Sequence, residues 1–324
     1  MSRLEKTIGA RSVLLLLIIT MLLRIVFTFG VNWLMDRQAL NQTESYYAFT
    51  MLQEFLMFGV PVFIFVYMFR PRYMPVLKSQ LVYPPLGAAI RTVLAAIIGA
   101  WALQLYISLW SLLLEALKVQ LWLPDVPLPS NGAQIILAVA AVGITPAILE
   151  ELLFRGVLLE GLKRELNQKA AIWLTALLFA FMHGSLAGLP AHIALGLVIT
   201  LLAIRQNNLQ LPMIYHFSHN AASLIIGLYF SKVMEGVDIE AQAQAVQGAN
   251  MIPAVLSVFS MALMATFAFW LLIRPLLASS NMQKAVSAPA EISVPHRNRR
   301  AVILLTVLLF FLMLPWYVLN FFPL

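Results

Sequence analysis

Long apolar runs separated by short polar connectors make up almost the whole chain. Stretches near the roughly 20 residues that cross a bilayer as a helix recur at 11–31, 50–69, 87–117, 133–160, 170–187, 190–204, 209–231, 251–273 and 301–320. This pattern predicts an all-α polytopic membrane helical bundle of about eight to nine transmembrane helices. The first run follows "MSRLEKTIGAR", carries Arg24 and Asn32 towards its far end and has no small-residue cleavage site. It therefore reads as a retained helix and not a removed signal peptide. The third run is longer than a perpendicular span needs, which predicts tilt or an interfacial portion. The fifth and sixth are short and separated only by "AGLP", the pattern of a tight hairpin that does not cross fully.

Two polar connectors interrupt the pattern. The first, 231–251, is acidic and glutamine-rich, and its "IEAQAQAVQ" predicts a short surface helix. The second, 278–300, has the Ser, Ala and Pro content of a flexible linker and ends in a basic cluster. Composition agrees with the membrane reading: 61% of residues are hydrophobic and 11% charged, against roughly a quarter charged in soluble domains. With no cysteine, disulfides, thiolate metal sites and a cysteine nucleophile are excluded. The net charge of +7 does not point to nucleic acid, because the basic residues lie between apolar runs and form no patch on a soluble module.

Ionisable groups at membrane depth cost several kcal/mol or more and are functional candidates by default. The fourth run supplies Glu150, Glu151 and Arg155. Glu151 and Arg155 are one helical turn apart and can pair as carboxylate and guanidinium. Glu150 lies about 100° round the helix from Glu151 and is left to face something else. Pro146 lacks an N–H and should kink the helix just before the carboxylates. The fifth run places Phe179 and His183 on one face, and the seventh does the same with His216 and Asn220. At about 1.5 Å per residue, these groups fall at similar depths on three helices.

The stretches "EELLFR", "FAFMH" and "HFSHN" resemble, in order and rough spacing, the EExxxR, FxxxH and HxxxN motifs of the CPBP family. That family comprises Abi-type intramembrane proteases related to the type II CAAX prenyl endopeptidase. The resemblance divides the chain into accessory N-terminal helices (1–130), a catalytic core (131–231) and C-terminal helices with the linker (232–324). It implies that Glu150 activates water, that His183 helps hold that water, and that His216 and Asn220 stabilise the oxyanion. Glu151, Arg155 and Phe179 would be structural. The expected activity is hydrolysis of a peptide bond in a membrane protein or lipid-anchored peptide, with no cofactor and no nucleic acid. The resemblance also implies an integral protein of a prokaryotic cell membrane.

Other readings of the same residues remain open. Two histidines and a glutamate are also a zinc ligand set with water in the fourth position, although HExxH is absent. The ion pair can be structural, and the histidines and asparagine can hold helices together. His192 and His219 match no motif position and are expected to support or pack, His296 to be solvated, and Arg24 and Arg91 to snorkel to the interface. A proton-coupled transporter would call for an inverted repeat, which is not seen; a non-catalytic immunity or scaffold protein is the remaining class.

Fifteen of the 21 lysines and arginines fall on the side that holds the N-terminus and only Arg37, Lys118 and Lys232 on the other. The N-terminus is therefore expected in the cytoplasm and Leu324 outside. A reporter fused within 280–295 should read cytoplasmic and one after Leu324 external; both on one side would refute this topology.

Overall fold

The computed structural model describes residues 10–36, 43–69, 77–119, 126–235, 251–278 and 299–319. The expected surface helix at 239–247, most of the 278–300 linker and His296 lie outside them. The described residues form nine helices of 15 residues or more, counting contiguous helix as one unit, with a short helical turn at 77–80 and no strand. These are α1 (Ala10–Asp36), α2 (Thr43–Met68), α3 (Leu86–Ala116), α4 (Gly132–Leu162), α5 (Gln168–Met182), α6 (Leu189–Gln206), α7 (Gln210–Met234), α8 (Ile252–Ala278) and α9 (Arg299–Leu319).

Each expected apolar run thus carries a helix, and six of them (α1, α2, α3, α4, α6 and α8) are long and apolar enough to cross a membrane. The 25 residues of α7 are long enough, but His216, Ser218, His219 and Asn220 dilute its hydropathy. The hairpin expectation holds for one arm only. The 15 residues of α5 span roughly 22 Å at 1.5 Å each, short of a ~30 Å hydrocarbon core. The 18 residues of α6 do suffice. The polypeptide is a multi-pass membrane protein whose outward faces carry bare apolar side chains, such as Phe63, Ile136 and Leu304.

Asparagines punctuate the helices around the core. Asn131 Oδ1 accepts from Gln134 N at 3.0 Å and Asn167 Oδ1 from Ala170 N at 2.8 Å, opening α4 and α5. Asn207 closes α6 in the left-handed conformation at φ 44°, and Asn208 Oδ1 accepts from Leu211 N at 2.8 Å at the start of α7. Between α5 and α6, Gly184 takes φ 65°, so "GSLAG" is a turn and not a helix seam.

The helix α4 runs between α2 and α7 and touches α1; α3 lies along α7 and α8; α5 packs on α6. Small residues set the closest approaches. A Cβ on Gly196 of α6 would stand 3.0 Å from the backbone oxygen of Ala176 on α5. Because that oxygen cannot swing aside, Gly196→Val should separate the hairpin and cost about 1–3 kcal/mol as overpacking. Thermal unfolding in detergent should show a lowered Tm, and a variant that melts like the parent would show that the contact has room to give.

Candidate active site

Irregular backbone surrounds the charged residues. The π-helical segments Phe55–Gly59 in α2, and Val139–Ile144 and Leu152–Leu158 in α4, interrupt otherwise regular helix. Such bulges shift the phase of a helix and re-aim the side chains beside them. Glu54 stands immediately before the first segment and Glu151 immediately before the third. The effect expected of Pro146 is taken up here as well. Having no N–H, Pro146 cannot bond the carbonyl four residues back, that of Val142, and that carbonyl accepts from Asn220 Nδ2 at 2.8 Å. A proline in α4 is thereby matched to an asparagine in α7.

Arg155 is wholly buried and fully engaged. Its Nη1 donates to Glu151 Oε1 at 2.9 Å, its Nη2 to Gly196 O at 3.1 Å and its Nε to Thr200 Oγ1 at 3.2 Å. Glu151, also 0% exposed, accepts a second bond on the same oxygen from His216 Nδ1 at 2.8 Å. The four-residue spacing anticipates the first contact. The second joins positions 65 apart and is invisible to spacing.

Phe179 is the ring on which these groups pack. Its centroid lies 4.5 Å from the Arg155 guanidinium carbon, 4.7 Å from the His183 ring and 5.8 Å from the His216 ring. His183 follows the last residue of α5, and its Nδ1 bonds Phe179 O at 2.9 Å. A carbonyl only accepts, so Nδ1 carries the hydrogen and Nε2 of the neutral ring is left as an acceptor.

Glu150 contrasts with its neighbour. It is 6% exposed, and no hydrogen bond to its carboxylate is found among the described residues, whereas Glu151 takes two on Oε1; Oε2 of each is buried without a partner. Among the described residues no hydrogen bond joins it to His183, His216 or Asn220.

A cavity of about 400 Å³ opens beside this network, lined by His183 and Asn220 together with His192 and His219. The two histidines outside the motifs therefore face the same space. His192 stacks on His183 with centroids 4.1 Å apart, and neither His192 Nδ1 nor His219 Nδ1 has a partner. Tyr47 of α2 and Leu103 of α3 complete the wall, so helices before residue 131 contribute to it. A second, apolar cavity of about 720 Å³ adjoins it, sharing Leu103, Ile107, Ala191 and Leu195.

Two residues change standing. Arg24, expected to snorkel, turns inward and donates from Nη2 to His183 O at 3.3 Å, because a carbonyl left at the end of α5 offers a partner nearer than the interface. Glu54, not singled out from the sequence, stands just before the π-helical segment of α2 that packs on the carboxylate-bearing part of α4, and its Oε2 is buried without a partner. Its signal was a lone carboxylate inside the second apolar run. Among the described residues no three of His, Cys, Asp and Glu are grouped as the ligands of a metal ion would be.

Residues 132–222 match the family model described as Rce1-like, Type II CAAX prenyl endopeptidase Rce1-like. The matched segment begins at α4, ends within α7 and contains all three motifs, in agreement with the resemblance read from them. No curated protein and no solved structure matches the chain.

The ion pair generates a stability prediction. Arg155→Ala strands a buried carboxylate and should cost about 3–5 kcal/mol, whereas Glu151→Gln/Arg155→Met, which removes both charges, should recover much of that loss. Unfolding of the three proteins in one detergent measures it. An Arg155→Ala protein as stable as the parent would refute the role given to the pair.

Proposed function

We propose that this protein is an intramembrane endopeptidase in which Glu150 activates the attacking water. One observation carries the reading. Of two adjacent buried carboxylates, Glu151 takes bonds from Arg155 and His216 on one oxygen, while among the described residues no hydrogen bond reaches the Glu150 carboxylate. A structural ion pair alone gives no reason to bury the second carboxylate. The family match over 132–222 supports the same class of activity.

The chemistry follows from the free valences. His183 Nε2 accepts one hydrogen of the water, and Glu150 takes the other proton as the water oxygen adds to the peptide carbonyl carbon. The Glu150 carboxyl then delivers that proton to the leaving nitrogen as the C–N bond breaks. Asn220 still has one amide hydrogen after bonding Val142 O, and it donates to the oxyanion. His216, held by its Nδ1 bond to Glu151, keeps Nε2 as the remaining polar atom of its ring. No metal enters this sequence, and the ungrouped donors favour that version over zinc hydrolysis.

The substrate is a membrane protein or lipid-anchored peptide. The adjoining 720 Å³ apolar cavity supports this, since it offers room for an apolar side chain or anchor beside the histidine-lined one.

Purified protein in detergent tests the proposal. Glu150→Gln preserves shape but removes the base, so cleavage should fall below detection while folding and substrate affinity persist. Asn220→Ala should lose about 10²–10³-fold in rate, the scale of one oxyanion donor. A strong zinc chelator should leave the parent rate unchanged. One stoichiometric zinc, lost and regained with activity, would replace the water-only mechanism; full cleavage by the Glu150→Gln protein would end the protease reading and favour a scaffold.

A further inference from the structure

His183 stands at the end of α5, where its own helix secures it on one side only. The last turn tightens there, with His183 N donating to Ala180 O and Gly184 N to Phe181 O, both at 3.2 Å. Gly184 then turns the chain away in the left-handed conformation at φ 65°. Two hydrogen bonds tether the residue. Arg24 Nη2 donates to its carbonyl at 3.3 Å, which holds backbone, and Nδ1 donates to Phe179 O at 2.9 Å. One hydrogen bond restrains one atom of the imidazole and tolerates a broad range of ring tilts. Any such tilt would swing Nε2, the atom offered to water.

Neighbouring rings set the plane. Phe179 meets the His183 ring at 56°, with centroids 4.7 Å apart. His192 of α6 lies closer and nearly parallel, with 4.1 Å between centroids and 27° between planes. The turn that joins the two helices places His192 in its own right. Its N–H donates to Gly188 O at 2.8 Å, and Gly188 N donates to Ser185 Oγ at 3.0 Å. A Cβ on Gly188 would stand 2.6 Å from His192 Cε1 and 3.0 Å from its Nδ1, so the imidazole lies against bare backbone. Nδ1 is buried there without a hydrogen-bond partner, an arrangement that packing alone does not favour. The ring presents a flat face to His183 and forms part of the wall of the histidine-lined cavity.

We propose that His192 is a positioning residue for His183: its stacked ring sets the plane of the His183 imidazole and so aims Nε2 at the attacking water. Gly188 belongs to the same device, because a side chain at that position would occupy the place of the His192 ring. The inference rests on the endopeptidase reading for its kinetic consequence and not for the stack itself. It gives a task to a histidine that lies in none of the three motifs.

Two measurements test it. In the first, cleavage by purified protein in detergent compares His192→Phe, which keeps a flat ring, with His192→Leu, which fills space but cannot stack. The Leu protein should lose about 10- to 100-fold in kcat, the scale of a misplaced reacting group. Its KM should stay within about twofold of the parent, because His192 acts through His183. The Phe protein should regain most of that kcat. Gly188→Ala displaces the His192 ring without changing it and should also lower kcat, and adding it to His192→Leu should cost little more. A Leu protein with the parent kcat, a Phe protein as impaired as the Leu one, or a loss confined to KM would overturn the proposal.

The second measurement reads the ring by NMR in histidine-labelled protein. The His183 ring-proton resonances, assigned by their disappearance in His183→Gln, carry the ring current of a stacked neighbour. They should move downfield in His192→Leu and in Gly188→Ala and remain upfield in His192→Phe. Resonances unmoved in His192→Leu would overturn the proposal whether or not the protein is active. Parent protein that cleaves nothing would sink the endopeptidase reading, and the resonances would still decide whether His192 holds the His183 ring.

Discussion

The buried guanidinium of Arg155 is the constraint from which the rest of the site follows. In an interior of leucine, alanine and phenylalanine, a cation persists only if each of its nitrogens finds a partner. Arg155 meets that demand with a carboxylate from its own helix, a carbonyl and a hydroxyl from α6 and the face of a phenylalanine from α5. Glu151 then carries the network to His216 on α7. Four helices are fixed against one another by a single side chain, and the orientations of Phe179, His183 and His216 follow from it. Such a network adds little to stability compared with an apolar core, but it permits one arrangement of its members and penalises the others.

A second constraint is that backbone groups in an apolar interior must be bonded. Proline and π-helical segments break the regular pattern in α2 and α4, and each break calls for compensation. Asn220 answers the carbonyl of Val142 that Pro146 leaves without its usual donor. The same side chain lines the histidine cavity, so the repair of the backbone also aims a donor into the site. Strain and positioning are one arrangement here, and among the described residues π-helical backbone lies only in α2 and α4, the helices that bear the carboxylates.

Division of labour between neighbouring carboxylates explains how one short stretch serves both structure and chemistry. Glu151 is held through one oxygen by Arg155 and His216. Glu150, one residue away and about 100° round the helix, lies outside that network of bonds. Helices α1 and α2, which carry no motif, pack on α4, so the environment of the reactive group is built in part by a stretch whose sequence announces nothing about catalysis.

The order of apolar runs, the membrane class and the Glu151–Arg155 pair were all legible in the sequence. Each depends on local periodicity: about 20 apolar residues for a span, and four residues for one helical turn. The motif residues were legible too, because their spacing within a helix survives folding. The bond from His216 to Glu151, the cap of Asn220 on Val142 and the inward turn of Arg24 were not. Each joins residues dozens of positions apart, or more than a hundred for Arg24 with His183. Which face of a helix meets which neighbour depends on glycine contacts and π-helical phase shifts that no repeat in the sequence encodes. The sequence by itself determined which residues are too polar to be idle in a membrane. Only the tertiary structure decided which of them neutralise one another and which one is left over, because a buried charge is defined by its neighbours and those come from other helices.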